Sequence, residues 1–170
     1  MNIDKELNSL RKFDKEDRSS FPYWFNHWAA YNLVAIKCGH WRLKYLFHDW
    51  YKPWLKLFMP YEDVQKFHRT HSNHHLEWLD NKIDEANSDT NCFLKVYDLL
   101  HKYDYDGTII DWECSRYTKE AAKLTAYEEY NKLFNFGEDK FLEKYPQVKP
   151  YYAYVSKRFR ESLRKLKLMD

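Results

Sequence analysis

Apolar residues recur at helical spacing along most of this chain. Trp24, Trp28, Tyr31 and Ala35 lie three or four residues apart, so they fall on one stripe of a helix. β-branched residues are few, and the strict alternation of apolar and polar residues that is typical of a half-buried strand is absent. The pattern therefore predicts an all-α fold, arranged as a single-domain helical bundle.

Capping residues, proline and glycine predict where the helices begin and end. Ser19 and Ser20 are suited to cap a helix that carries Pro22 in its first turn and ends at Gly39. Further helices are expected over about 41–51, stopping before Pro53, over about 61–86 after Pro60, from Asp89 or Thr90 to about Tyr103, from Thr108 toward Phe136, and over about 151–168.

Length and composition divide the chain into one core with two flanking segments. A chain of 170 residues favours one domain. We expect a charged helix or arm over 1–20, a helical core over 21–136, and a C-terminal segment over 137–170 whose basic helix packs on or extends the core. That basic helix is compatible with an acidic partner, a nucleic acid or a membrane surface, but a solvated helix is the favoured interpretation.

Charge and cysteine usage exclude several classes of protein. The 28 basic and 26 acidic residues leave a net charge of +2, which is too balanced to indicate nucleic-acid binding. No apolar run is long enough for a transmembrane helix, and the charged residues 1–20 do not resemble a signal peptide. The three cysteines have no metal-type spacing and fit a reducing compartment, so we expect a cytoplasmic protein.

The distribution of the eight histidines points to metal binding. Four of them, His68, His71, His74 and His75, fall within eight residues of one predicted helix. His71 and His75 have the i,i+4 spacing that places two imidazoles on one helix face. The alternative is a solvated polar face, or core histidines that each bond a neighbour, but the density of the cluster favours metal.

Two acidic positions are further candidates. Asp49 follows His48 at the end of an apolar segment, where a buried carboxylate is costly unless a cation neutralises it. Asp111 follows Thr108 at the spacing of a capping box, so it is either a helix cap or a ligand from a later helix. We favour the ligand.

Taken in order, His27, His48-Asp49 and Asp111 resemble the HD superfamily of metal-dependent phosphohydrolases. Lys52 completes a His-Asp-x-x-Lys form of the motif, and the histidine cluster stands where members with more than one metal carry extra histidines. A closer similarity is to an uncharacterised family of bacterial and phage proteins. It rests on the His48-to-Lys52 motif, on Asn73-His74-His75 with Trp78, and on Asp111-Trp112.

The resemblance implies an HD-like helical bundle that holds one or two divalent transition metals, with Mn, Fe, Zn, Co and Ni all compatible. Its implied metal ligands are His27, His48, Asp49, His71, His75 and Asp111. Its implied catalytic residues are Asp49, Lys52 and His74, and its implied substrate-binding residues are Lys52, Trp50 and Ser115.

The implied function is hydrolysis of a small-molecule phosphate ester or anhydride, most simply a nucleotide. Two metals would clamp the phosphate and activate water. One alternative is an HD-fold di-iron enzyme that uses O₂, because histidine and carboxylate ligands suit iron equally. The other alternative is a non-enzymatic helical interaction module with a structural metal or none.

Overall fold

A computed structural model describes residues 2–88 and 92–169 of the protein. These two ranges contain ten α-helices and three 3₁₀ helices, and no β-strand occurs within them. An isolated bridge joins Phe13 to Lys119. The prediction of an all-α helical bundle is confirmed.

The longest helices form the centre of the bundle, where α2 packs against α7 and α7 against α10. The α-helices are α1 (Ile3–Ser9), α2 (Phe21–Lys37), α3 (Lys52–Leu55), α4 (Tyr61–His71), α5 (Leu76–Asn87), α6 (Cys92–Lys102), α7 (Tyr105–Thr118), α8 (Ala126–Phe134), α9 (Glu138–Lys144) and α10 (Tyr152–Lys165). The 3₁₀ helices are Glu16–Ser19, Leu43–Phe47 and Lys149–Tyr151.

Local signals set both ends of α2 as predicted. The Ser20 side chain accepts a hydrogen bond from the backbone N–H of Tyr23, 3.3 Å away. Gly39 has φ +65°, the left-handed conformation that terminates a helix without steric cost. Between these ends, Tyr31 and Val34 are fully buried and attach the helix to the core.

The predicted helix over 41–51 is wrong. This segment is the 3₁₀ helix Leu43–Phe47 followed by a turn. Trp28 Nε1 donates to the carbonyl of Leu46 at 2.9 Å, and Asn32 Nδ2 donates to the carbonyl of Tyr45 at 3.2 Å. Because side chains of α2 take these carbonyls, the segment is held against α2 without completing an α-helical ladder.

The predicted helix over 61–86 is two helices, α4 and α5, joined by residues 72–75. Ser72 Oγ bonds His68 Nδ1 at 3.0 Å, and Asn73 Nδ2 donates to the carbonyl of Lys102 at 3.0 Å. Short polar side chains of this kind compete with the helix for hydrogen bonds. The break places His74 in the connection and makes His75 the N-cap of α5.

The segment after residue 103 also differs from the prediction. Asp104 caps α7, accepting from the backbone N–H of Gly107 at 3.2 Å, so the helix begins before Thr108. Asp111 is therefore an interior residue, and its interpretation as a cap is wrong. The segment toward Phe136 is divided because α7 ends at Thr118. The predicted caps Asp89 and Thr90 lie outside the described residues.

Both flanking segments pack on the bundle. Leu7 of α1 and Phe159 and Leu163 of α10 are buried in the same core cluster. Several charges of α10 are paired: Lys165 Nζ lies 2.6 Å from Asp106 Oδ2, and Arg158 is bonded within its own helix. In the described part of the chain, no helix is long and apolar enough to cross a membrane.

Candidate metal centre

Three elements bring imidazoles and carboxylates together between α2 and α7. His27 comes from α2 and Asp111 from α7. His48 and Asp49 come from the turn after the 3₁₀ helix Leu43–Phe47. His27 Nε2 lies 3.0 Å from Asp111 Oδ1 and 3.8 Å from Asp49 Oδ2. His48 Nε2 lies 3.7 Å from Asp49 Oδ2 and 3.9 Å from Asp111 Oδ1. Four donors thus share one buried volume.

The backbone of Asp49 explains how two consecutive residues reach this volume. On a helix, adjacent side chains point about 100° apart. Here Asp49 has φ +60°, a left-handed conformation that aspartate tolerates better than most residues. The turn directs both the His48 imidazole and the Asp49 carboxylate inward, and their side chains are only 5% and 7% exposed.

A second group of imidazoles meets the other oxygen of Asp49. His68 Nε2 lies 3.2 Å from Asp49 Oδ1 and 2.7 Å from His75 Nε2. The His74 ring lies beside both, with centroid distances of 5.2 Å to His68 and 4.4 Å to His75. Asp49 therefore faces His27 and His48 with one oxygen and the three-histidine group with the other, as a bridging carboxylate does.

Hydrogen bonds at the outer nitrogens orient two of the rings. His68 Nδ1 is bonded by Tyr51 Oη at 2.6 Å and Ser72 Oγ at 3.0 Å. His27 Nδ1 lies 3.3 Å from Thr118 Oγ1, whose own hydrogen is directed to a carbonyl of α7. A metal ion on Nε2 would require the proton of His27 on Nδ1, and the Thr118 hydroxyl is placed to accept it there.

Burial and mutual charge hold these groups in the protonation state that metal binding requires. Burial lowers the pKa of His48 to about 3 and that of His75 to about 2, so both imidazoles are neutral. Burial alone would raise the pKa of Asp49, but the Lys52 ammonium beside it holds that pKa well below its usual range. Burial likewise opposes ionisation of Asp111, and the hydrogen bond from His27 outweighs it. Neutral imidazoles beside anionic carboxylates form a ready ligand set.

Three buried atoms of the cluster have no hydrogen-bond partner: His48 Nε2, Asp49 Oδ1 and His74 Nε2. A buried polar atom without a partner costs about 1–3 kcal/mol, so such atoms are rare unless something binds them. The ligand atoms of His27, His48 and Asp49 all lie within 4.8 Å of one another, and so do those of His68, His74 and His75. These residues fit a metal ion.

Cys114 lies against the cluster, a position that its sequence spacing did not indicate. Its Sγ is 3.7 Å and 4.0 Å from the two ring nitrogens of His27, and so lies along the lone pair of neither. It forms a third close group with His27 and Asp111. Burial raises the pKa of the thiol well above its ordinary value, so Cys114 stays protonated and packs beneath the carboxylate.

The structure does not bring His71 to the cluster. Its ring stacks on Phe67 at 4.0 Å, its Nδ1 lies 2.9 Å from the Phe67 carbonyl, and the residue is exposed. His68 takes the position expected of His71. The signal was present in the sequence, because His68 lies four residues after Val64, which is fully buried on the core-facing side of α4.

A cleft of about 890 Å³ opens beside the cluster. Lys52 and Ser115, two of the residues expected to bind substrate, both line it. Trp50 does not line this cleft, and 58% of its surface is exposed. Lys52 Nζ lies 2.5 Å from Asp49 Oδ2, so its charge stands at the junction of cluster and cleft.

Comparison of the chain with protein-family models, with curated proteins and with solved structures finds no match. The resemblance to the HD superfamily therefore depends on the residues themselves. In the structure, His27, His48-Asp49 and Asp111 are far apart in the chain and meet in one cluster.

We expect His68→Ala to lower metal affinity by at least about 100-fold, because loss of even an outer-sphere partner costs about 10- to 100-fold. His71→Ala, the matched control on the same helix, should leave affinity within about threefold, since its ring stacks on Phe67 and belongs to neither donor group. Competition titration with a chromogenic chelator measures both. Equal losses in the two variants would contradict the assignment of His68.

Proposed function

We propose that the protein is a metal-dependent phosphohydrolase that acts on a nucleotide or a similar phosphate ester or anhydride. The observation that carries the proposal is the pair of donor groups that share Asp49, one oxygen to each, at the edge of a cleft with a lysine beside it. Paired metal sites about 3.5–4 Å apart are typical of phosphatases and nucleases.

The donors divide into two sets. His27, His48 and Asp111 would hold one ion, and His68, His74 and His75 the other, with Asp49 between them. His74, which the sequence indicates as catalytic, belongs by position to the second set of ligands. Bound divalent ions supply Lewis-acid chemistry, polarising the phosphoryl group and activating water for attack on phosphorus.

The protein's own residues would bind and orient the substrate. Lys52 presents a point charge to a phosphoryl oxygen from the mouth of the cluster. Ser115 Oγ accepts a hydrogen bond from Lys119 at 2.7 Å, so its own hydrogen is free to be donated to a substrate oxygen. Tyr61 and Trp112 line the same cleft as half-buried rings, which are suited to stack against a base.

Metal analysis and a hydrolysis screen test this proposal together. We expect two equivalents of transition metal per chain after loading, and release of phosphate from members of a nucleotide panel that stops with a chelator and returns with added metal. The balance of the reaction requires one water consumed for each phosphorus–oxygen bond broken. Metal binding without phosphate release, under Mn²⁺, Co²⁺, Ni²⁺, Fe²⁺ and Zn²⁺ in turn, would contradict the proposed activity.

A further inference from the structure

The cleft beside the metal cluster carries more positive charge than the reacting phosphoryl group requires. Six Lys and Arg residues line it, from five parts of the chain: Lys15, Arg18, Lys52, Arg69, Lys119 and Lys144. Lys52 is paired with Asp49 and Lys144 with Glu77. Glu16 and Glu62 also line the cleft, so it is not uniformly basic. The remaining four cations, two lysines and two arginines, differ in how far they are buried.

Lys15 and Arg69 are exposed to water, which solvates an unpaired charge at little cost. Arg18 and Lys119 are half-buried, and neither pairs with a carboxylate in residues 2–88 and 92–169. Arg18 Nε is buried with no hydrogen-bond partner. Withdrawing a cation from water is unfavourable unless an anion offsets its charge. Asp111 acts on Lys119 from beyond contact distance, so both half-buried cations can still take a direct contact from an anionic ligand.

Lys119 lies one helical turn from the metal cluster. Its Nζ donates to Ser115 Oγ at 2.7 Å, so the charge is level with Ser115, four residues after Asp111. One turn of α-helix is about 5.4 Å. A second phosphoryl group, linked to the one held at the metal cluster, would reach this level of the cleft.

Arg18 is fixed in place by a segment anchored at both ends. Phe13 N donates to the carbonyl of Thr118 at 2.9 Å, which ties the segment before Arg18 to the end of α7. Lys56 Nζ donates to the carbonyl of Ser19 at 2.5 Å, which ties the following residue to α3 and the turn that carries Asp49. The backbone that carries the Arg18 guanidinium is therefore fixed at one side of the cleft.

We infer that Arg18 and Lys119 form a second anion subsite, so that the substrate carries two phosphoryl groups in tandem, as nucleoside diphosphates and triphosphates do. The inference depends on the proposed function for the position of the first phosphoryl group. It predicts a preference between ligands that is independent of turnover. Arg18 is suited to a bidentate contact with one phosphoryl oxygen pair, and Lys119 to a single charged contact.

Calorimetric titration of the Mn²⁺-loaded protein tests this with two ligands that resist hydrolysis, methylenediphosphonate and methylphosphonate. We expect the two-phosphorus ligand to bind at least about tenfold more tightly, since one charge-assisted contact is worth about that factor. Arg18→Gln and Lys119→Gln should each weaken it by about 10- to 100-fold and change methylphosphonate binding by less than about threefold. Metal content is measured after each titration.

Two controls separate binding from structure. Arg11→Gln removes an exposed arginine of the same N-terminal segment, paired with Asp17 and outside the cleft, and should leave both affinities unchanged. Lys119 also stands at the C-terminal end of α7, where a cation stabilises the helix, so Lys119→Arg should keep both the stability and the preference.

Equal binding of the two ligands, or variants that retain the preference, would overturn the second subsite and leave the proposed function standing. Failure of the loaded protein to bind either ligand would overturn both. Loss of the preference in Arg18→Gln and Lys119→Gln, with unchanged thermal unfolding, supports the subsite.

Discussion

Asp49→Asn is expected to abolish hydrolysis and to weaken metal binding at both donor groups. Each oxygen of Asp49 faces a different set of imidazoles, at 3.2 Å on one side and 3.7 to 3.8 Å on the other. The substitution removes the charge that both ions would share. We expect each equivalent of metal to bind at least about 100-fold more weakly, and turnover to fall by at least the same factor.

Asparagine is the informative substitution at position 49 because of the backbone. Asparagine accepts the left-handed φ of +60°, whereas alanine there would add strain of about 1–2 kcal/mol that has nothing to do with metal. Asp84→Ala, on the exposed face of α5, serves as a control for charge alone. Circular dichroism should show unchanged helicity in both variants. Full activity in Asp49→Asn would remove the basis for the proposed centre.

Asp111→Asn is expected to affect only one of the two metal positions. Its carboxylate faces His27 and His48, whereas the group of His68, His74 and His75 forms without it. We expect loss of about one equivalent of metal, with the other retained by the three-histidine group, and a fall in turnover of at least about 100-fold. Metal analysis after dialysis and phosphate release measure the two effects separately.

Asp106→Asn on the same helix is the matched control. Asp106 is buried too, but it lies 2.8 Å from His40 and 2.6 Å from Lys165, away from the cluster. The substitution should cost about 1–3 kcal/mol in the free energy of unfolding, because the buried side chain at position 106 loses its charge-assisted bonds, while metal content stays at the wild-type value. If Asp111→Asn behaves in the same way as Asp106→Asn, Asp111 is a structural carboxylate.

Local signals were sufficient to predict α2, and insufficient for the segment that follows it. Ser20 and Gly39 act on their own neighbours, so their effect is visible in a short stretch of sequence. The 3₁₀ helix Leu43–Phe47 depends instead on Trp28 and Asn32, which take its carbonyls from another helix. Such a contact between distant positions leaves no periodic mark in the sequence.

For the candidate metal centre, the sequence predicted which kinds of donor residue come together, and only some of their positions. His27, His48, Asp49 and Asp111 lie together, and His75 joins them through His68, which contacts Asp49. The choice of His71 over His68 followed from treating 61–86 as one straight helix, on which His71 and His75 share a face. The break at Ser72 removes that relation, and the buried face of α4 then selects His68.

The order of the chain imposes an order on assembly of this centre. His27 and the histidines of 68–75 precede α7, which supplies Asp111, and the helix that packs on the far side of α7 is α10, near the end of the chain. Synthesis proceeds at about 5–20 residues per second from the N-terminus, so the imidazoles leave the ribosome seconds before the carboxylate that completes the cluster. The three-histidine group is therefore translated before Asp111, so the two donor groups become complete at different times during synthesis.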